Sequence, residues 1–126
     1  MKLTFSKNMI NIPFKNFTNF RIGQEEIIDF INNSSKKFIA LSAPTGIGKS
    51  LIGAMACINP EKSSYLVHTK ILQDQIEQNF PEFVVMKGRS NYPCERFGTA
   101  DNCSPRCDLK SKCAYELQRK KAVLAK

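Results

Sequence analysis

The stretch FIALSAPTGIGKSLIGAMACI, Phe38 to Ile58, decides the reading of the fold. Its first four residues, FIAL, form a short apolar run suited to a buried strand. SAPTGIGKS interrupts that run as a loop, and LIGAMACI resumes it as an apolar helix that stops near Asn59 and Pro60. Strand, glycine-bearing loop and helix in that order are the context in which a phosphate-binding loop has meaning.

The strict pattern G-x-x-x-x-G-K-[ST] is not met, because Ala43 stands at the first glycine position. What remains, APTGIGKS from Ala43 to Ser50, keeps the parts that carry chemistry. Gly46 and Gly48 permit a tight backbone path on which successive N–H groups turn inward toward an anion. Thr45, Gly46, Ile47 and Gly48 would supply that cradle, Lys49 would neutralise the β- and γ-phosphates, and Ser50 would ligate Mg²⁺. The expected ligand is a nucleoside triphosphate, ATP, with Lys49 and Ser50 as its catalytic pair. The bland alternative is a glycine-rich turn with an incidental lysine.

Working outward, QEEIIDFIN, Gln24 to Asn32, sets Ile27, Ile28 and Ile31 on one helical face, with Glu25 and Glu26 in the first turn where the helix dipole favours them. Phe14, Phe17 and Phe20 recur at a spacing that reads as core packing. Downstream, SYLVH (Ser64 to His68) and FVVM (Phe83 to Met86) read as further strands, and ILQDQIEQN (Ile71 to Asn79) as a helix closed by Pro81. Alternating strands and helices predict an α/β fold with an open, mainly parallel sheet. Beyond Gly88 the periodicity disappears until Ala114, where AYELQRKKAVLAK regains helical propensity.

The 126 residues suffice for one modest domain, and 42% hydrophobic content is ordinary for a globular chain. A net charge of +8 points to a polyanionic partner, of which nucleic acid is the usual one. From Lys87 onward there are ten basic residues against four acidic, so most of the excess lies in the last third. A solvated basic tail would give the same count. The N-terminal MKLTFSKNMINIPF has no continuous apolar core of a secretory signal, and no stretch approaches membrane-spanning length. An intracellular, reducing compartment is expected, where clustered cysteines more often hold metal than form disulfides.

Four of the five cysteines, Cys94, Cys103, Cys107 and Cys113, fall in the aperiodic stretch, separated by eight, three and five residues. The paired short spacings of structural zinc sites are absent, and four thiolates can equally hold a 4Fe-4S cluster. Spacing leaves zinc and iron–sulfur open. Either would order a long loop that has no regular structure of its own. Cys57, inside LIGAMACI, reads as a core residue.

Taken in order, several segments resemble the XPD/DinG-type helicases of superfamily 2. FRIGQ (Phe20 to Gln24) is similar to that family's adenine-recognition segment, and APTGIGKS to its phosphate loop, alanine included. HTKILQDQ (His68 to Gln75) is similar to its segment that touches the single-strand backbone, and KGRSNYPC (Lys87 to Cys94) to the approach to its first cluster cysteine. The resemblance implies a RecA-like ATP motor of a DNA helicase moving 5′ to 3′. It implies a 4Fe-4S cluster on the four cysteines, with adenine contacts from Arg21 and Gln24. Single-stranded DNA would be contacted by Thr69, Arg89, Arg96 and Arg106, with Tyr92 and Phe97 available for stacking on bases or, equally, for packing against the cluster loop. On the residues alone, Thr69 could equally cap the helix that follows it.

The resulting organisation is a motor portion over residues 1–88, a cysteine-rich insertion over 89–113 and a helix over 114–126. No apolar run after Ser50 ends in the Asp-Glu pair that would organise attacking water. The expectation is therefore the N-terminal portion of a longer motor, with negligible hydrolysis alone. Two other classes fit the same residues: a zinc-bearing nucleic-acid-binding module with a vestigial phosphate loop, and a regulatory protein that occupies a helicase's partners.

Overall fold

In the computed structural model, which describes residues 10–103, 107–108 and 113–125, the chain divides into two units, Met1–Tyr65 and Leu66–Lys126. The first is built on helices α1 (Gln24–Asn33) and α2 (Lys49–Ala56), which pack against each other. Helix α1 buries Gln24 and Ile28, four residues apart and therefore on one face, while Glu25 and Glu26 remain in its exposed first turn. Helix α2 is apolar almost all round and buries Leu51, Ile52, Ala54 and Met55. Phe14 is buried and Phe17 and Phe20 half-buried, so the aromatic stripe packs as its spacing predicts, most completely at Phe14. At the end of α2 the Cys57 N–H donates to the Ala54 carbonyl at 3.1 Å, and the Ser63 hydroxyl donates to the Cys57 carbonyl at 2.6 Å.

The second unit holds α3 (Lys70–Asn79), α4 (Ala114–Leu124) and a short antiparallel hairpin, β1 (Pro93–Cys94) with β2 (Gly98–Thr99). Thr69 caps α3 by accepting the Leu72 N–H at 3.2 Å. Ile76 is buried on that helix, and Phe80 at its end is fully buried and stacked on Phe83, with ring centroids 5.5 Å apart. Single 3₁₀ turns, Arg89–Asn91 and Ala100–Asn102, flank the hairpin. Helix α4 contacts β1, and its Gln118 Nε2 donates to the Val85 carbonyl at 2.8 Å.

All four expected helices form, within a residue or two of their expected limits. The open parallel sheet is corrected: among the described residues the two-stranded hairpin is the entire sheet. FIAL, SYLVH and FVVM carry no ladder, and Phe38 is 85% and Leu66 89% exposed. An apolar run specifies a residue's taste for burial, but a strand exists only when a neighbouring chain accepts and donates its hydrogen bonds. Helices need no such partner, which is why periodicity located them and failed on the strands. The hairpin also falls where no regular structure was expected. No helix among the described residues is long and apolar enough to cross a membrane.

Truncating the fully buried ring in Phe80→Ala is expected to cost about 3–5 kcal/mol of stability. Urea unfolding followed by circular dichroism checks this, and a midpoint unchanged from the parent would show that the ring is not a core element.

Candidate functional site

The loop from Ala43 to Ser50 turns twice through left-handed glycine, at Gly46 (φ 88°) and Gly48 (φ 85°), and delivers the chain into α2 with Lys49 as its first residue. The opening N–H groups of a helix have no intrahelical acceptor and carry the positive end of its dipole. Thr45, Gly46, Lys49 and Ser50 are exposed, and Ile47 and Gly48 half-buried, so the lip of the loop is open to a ligand while its base is packed. The Lys49 ammonium bends back on its own loop, donating to the carbonyls of Ala43 at 3.0 Å and Pro44 at 2.8 Å. Those are weak neutral acceptors, and a phosphate oxygen is the stronger partner for an ammonium.

Beneath the loop lies a brace that periodicity did not reveal. Gln24 is buried, and all of its amide is used: Oε1 accepts the Arg21 N–H at 2.8 Å, and Nε2 donates to the carbonyls of Ile47 at 2.7 Å and Gly48 at 3.4 Å. The Arg21 guanidinium adds a donor to the Gly46 carbonyl. Both residues expected at the adenine are thus turned to the backbone of the phosphate loop. No sequence signal announces the contact, because it joins positions more than twenty residues apart.

The cysteine stretch gathers its ligands from several elements. Cys94 ends β1, Cys103 follows the second 3₁₀ turn, Cys113 caps α4, and with Cys107 they line one cavity of about 180 Å³ with Pro93, Glu95 and Ala114. Desolvation first, and then a hydrogen bond to the Cys107 thiol, hold the Cys103 thiol above its ordinary value; Cys94 and Cys113 add to this. No group of three or more His, Cys, Asp or Glu among the described residues is arranged to hold a metal ion. The four cysteines line one cavity without forming such a group.

The residues expected at nucleic acid are scattered in role. Thr69 caps α3 through its oxygen lone pair, which leaves its O–H free to donate elsewhere. Arg96, at the hairpin tip, is paired with Asp108 at 2.8 and 3.0 Å, so much of its charge is answered within the chain. Arg89 is exposed and lies over the Tyr115 ring, 5.3 Å from its centroid, and Tyr92 meets the same ring edge-on at 5.5 Å. Tyr92 also accepts the Lys87 N–H at 3.0 Å, so it packs as structure, whereas Phe97 is exposed. Arg106 lies outside the described residues.

The brace makes the two loop glycines unequal. A Cβ on Gly48 would fall 2.3 Å from Gln24 Nε2, whereas one on Gly46 meets nothing within 4 Å. Both substitutions incur left-handed strain of about 1–3 kcal/mol. Gly48→Ala is expected to lower the thermal midpoint clearly more than Gly46→Ala, and equal losses in a melting experiment would show that Gln24 does not press on the loop.

Comparison with protein families finds that the family described as "Type III restriction enzyme, res subunit" matches residues 17–119. Comparison with curated proteins and with solved structures found no match. The family match takes in the Arg21–Gln24 brace, the glycine loop, α3 and the whole cysteine stretch, which together make up most of the chain. On that span the chain belongs to the Type III restriction enzyme res subunit family, a helicase-type P-loop family of superfamily 2.

Proposed function

We propose that this chain is the ATP-binding portion of a DNA helicase motor of the XPD/DinG type, bearing a 4Fe-4S cluster and moving 5′ to 3′ on single-stranded DNA. The observation that carries the reading is the doubly left-handed loop ending in Lys49 at the start of α2, within a chain of the helicase-type family. The loop amides and the opening N–H groups of α2 take the phosphates, and Lys49 exchanges its two carbonyl partners for the β- and γ-oxygens. Ser50 takes the Mg²⁺. Arg21, exposed at the rim, contributes to the adenine site, and Gln24 acts on the nucleotide through the loop it braces.

Four thiols lining one cavity fit a cluster or zinc alike, and it is the family resemblance that favours the cluster. Cys94, Cys103, Cys107 and Cys113 would hold the cluster, which when bound ties four separated points of the chain together as a staple. Arg89 and the donor face of Thr69 offer contacts to a nucleic-acid backbone, while Arg96 must first give up Asp108. The basic excess after Lys87 supplies the long-range attraction.

Two measurements bear on this. Lys49→Ala is expected to abolish ATP binding in calorimetry while leaving the far-ultraviolet circular dichroism intact; unchanged affinity would overturn the loop assignment. Protein purified without oxygen is expected to contain about four iron and four sulfide per chain and to absorb broadly in the visible. Colourless protein with stoichiometric zinc would instead favour a nucleic-acid-binding module with a vestigial phosphate loop.

A further inference from the structure

Two exposed arginines of the cysteine stretch are held in opposite ways. Arg96 spends both terminal guanidinium nitrogens on the Asp108 carboxylate, whereas no ion pair among the described residues uses Arg89. RSNY, Arg89 to Tyr92, closes as a 3₁₀ turn in which the Tyr92 N–H donates to the Arg89 carbonyl at 3.1 Å. Residues three apart eclipse in such a turn, which sends both side chains to one side. There both meet the ring of Tyr115, from the first turn of α4: the Arg89 guanidinium lies over it, 5.3 Å from the centroid, and the Tyr92 ring meets it edge-on at 72°. Tyr92 is anchored in turn by the Lys87 N–H, which donates to its hydroxyl at 3.0 Å. Asp101 lies in the field of Arg89, yet its carboxylate accepts the Thr99 hydroxyl.

We propose that Tyr115 is a positioning residue for nucleic acid, holding Arg89 in place so that its guanidinium fork is kept for one phosphate of the single strand. The inference rests on the nucleic-acid reading given above. A guanidinium carries five N–H donors in a fixed plane and matches a phosphate bidentately. A carboxylate partner, as Asp108 is to Arg96, answers the charge and fills the fork together. An aromatic face attracts the cation through its quadrupole and has no lone pair to occupy the donors. Arg89 on Tyr115 is therefore ordered before its ligand arrives while its charge and its donors stay available. Tyr92 sets the ring, the ring sets the arginine, and the arginine faces solvent.

The test is fluorescence anisotropy of labelled oligo(dT) over a series of NaCl concentrations. It compares the chain as it stands with Tyr115→Phe, Tyr115→Leu, Arg89→Gln, Arg89→Lys and the double variant Tyr115→Leu with Arg89→Gln. Tyr115→Phe keeps the aromatic face and is expected to bind as the parent does. Tyr115→Leu is expected to bind about two- to tenfold more weakly, the ordering cost of one long side chain, with the salt slope retained because the arginine still reaches its phosphate. Arg89→Gln should weaken binding and also flatten the slope by about 0.7, the share of one phosphate on a single strand. In that background Tyr115→Leu should add nothing. Arg89→Lys, a point charge without the planar fork, should weaken binding and keep the slope. Parent affinity in Tyr115→Leu, Arg89→Gln or Arg89→Lys, or a Tyr115→Leu loss that persists without Arg89, would overturn the inference. Should Tyr115→Leu lower the thermal midpoint, Arg89→Lys, which leaves the ring in place, decides alone. A parent chain that does not bind the oligonucleotide, or binds it indifferently to salt, would overturn the nucleic-acid reading and this inference with it.

Discussion

The buried amide of Gln24 is the interaction on which the site depends. A side-chain amide taken from water must recover its hydrogen bonds inside the protein, and this one does so by accepting from Arg21 and donating to Ile47 and Gly48. Those partners belong to two elements, the entry to α1 and the loop before α2. Satisfying one polar group therefore sets the position of the loop against the helix pair. The loop cannot drift without leaving that amide unpaired, which costs about 1–3 kcal/mol when the group is buried.

A braced loop in turn explains how Lys49 and Ser50 are presented. Both sit at the start of a helix whose opposite side is buried through Leu51, Ile52, Ala54 and Met55, so the helix cannot rotate to withdraw them. Lys49 has provisional partners within its own unit, the carbonyls of Ala43 and Pro44. In the nucleotide reading proposed above, the loop is organised before its ligand arrives, and weak partners hold the Lys49 ammonium at little energetic cost.

The second unit follows another logic. Its cysteine stretch has few apolar residues to bury, and among the described residues there Ala100 is the buried one. Order comes from a two-residue ladder, two 3₁₀ turns, the Arg96–Asp108 pair and the Tyr92–Tyr115–Arg89 stack, each of which contributes modestly at an exposed position. Four thiols around one cavity complete that list, and a bound group joining them would add far more than any of the others.

The sequence by itself determined the helices and supplied the residues from which the loop's chemistry is proposed. Helical hydrogen bonds run within a segment, so the spacing of Ile27, Ile28 and Ile31, the threonine before α3 and the proline after it carry the information locally. The same holds for the nucleotide roles proposed for Gly46, Gly48, Lys49 and Ser50, which rest on a few consecutive residues. Four clustered cysteines announced a shared purpose without saying how they meet. Tertiary structure decided the rest: that FIAL, SYLVH and FVVM lie outside any ladder, that Gln24 and Arg21 turn to the loop, that Asp108 answers Arg96, and that Tyr65 fills the space left by Gly53. Each of these joins residues distant along the chain, and which distant groups meet is a property of packing that no local pattern encodes.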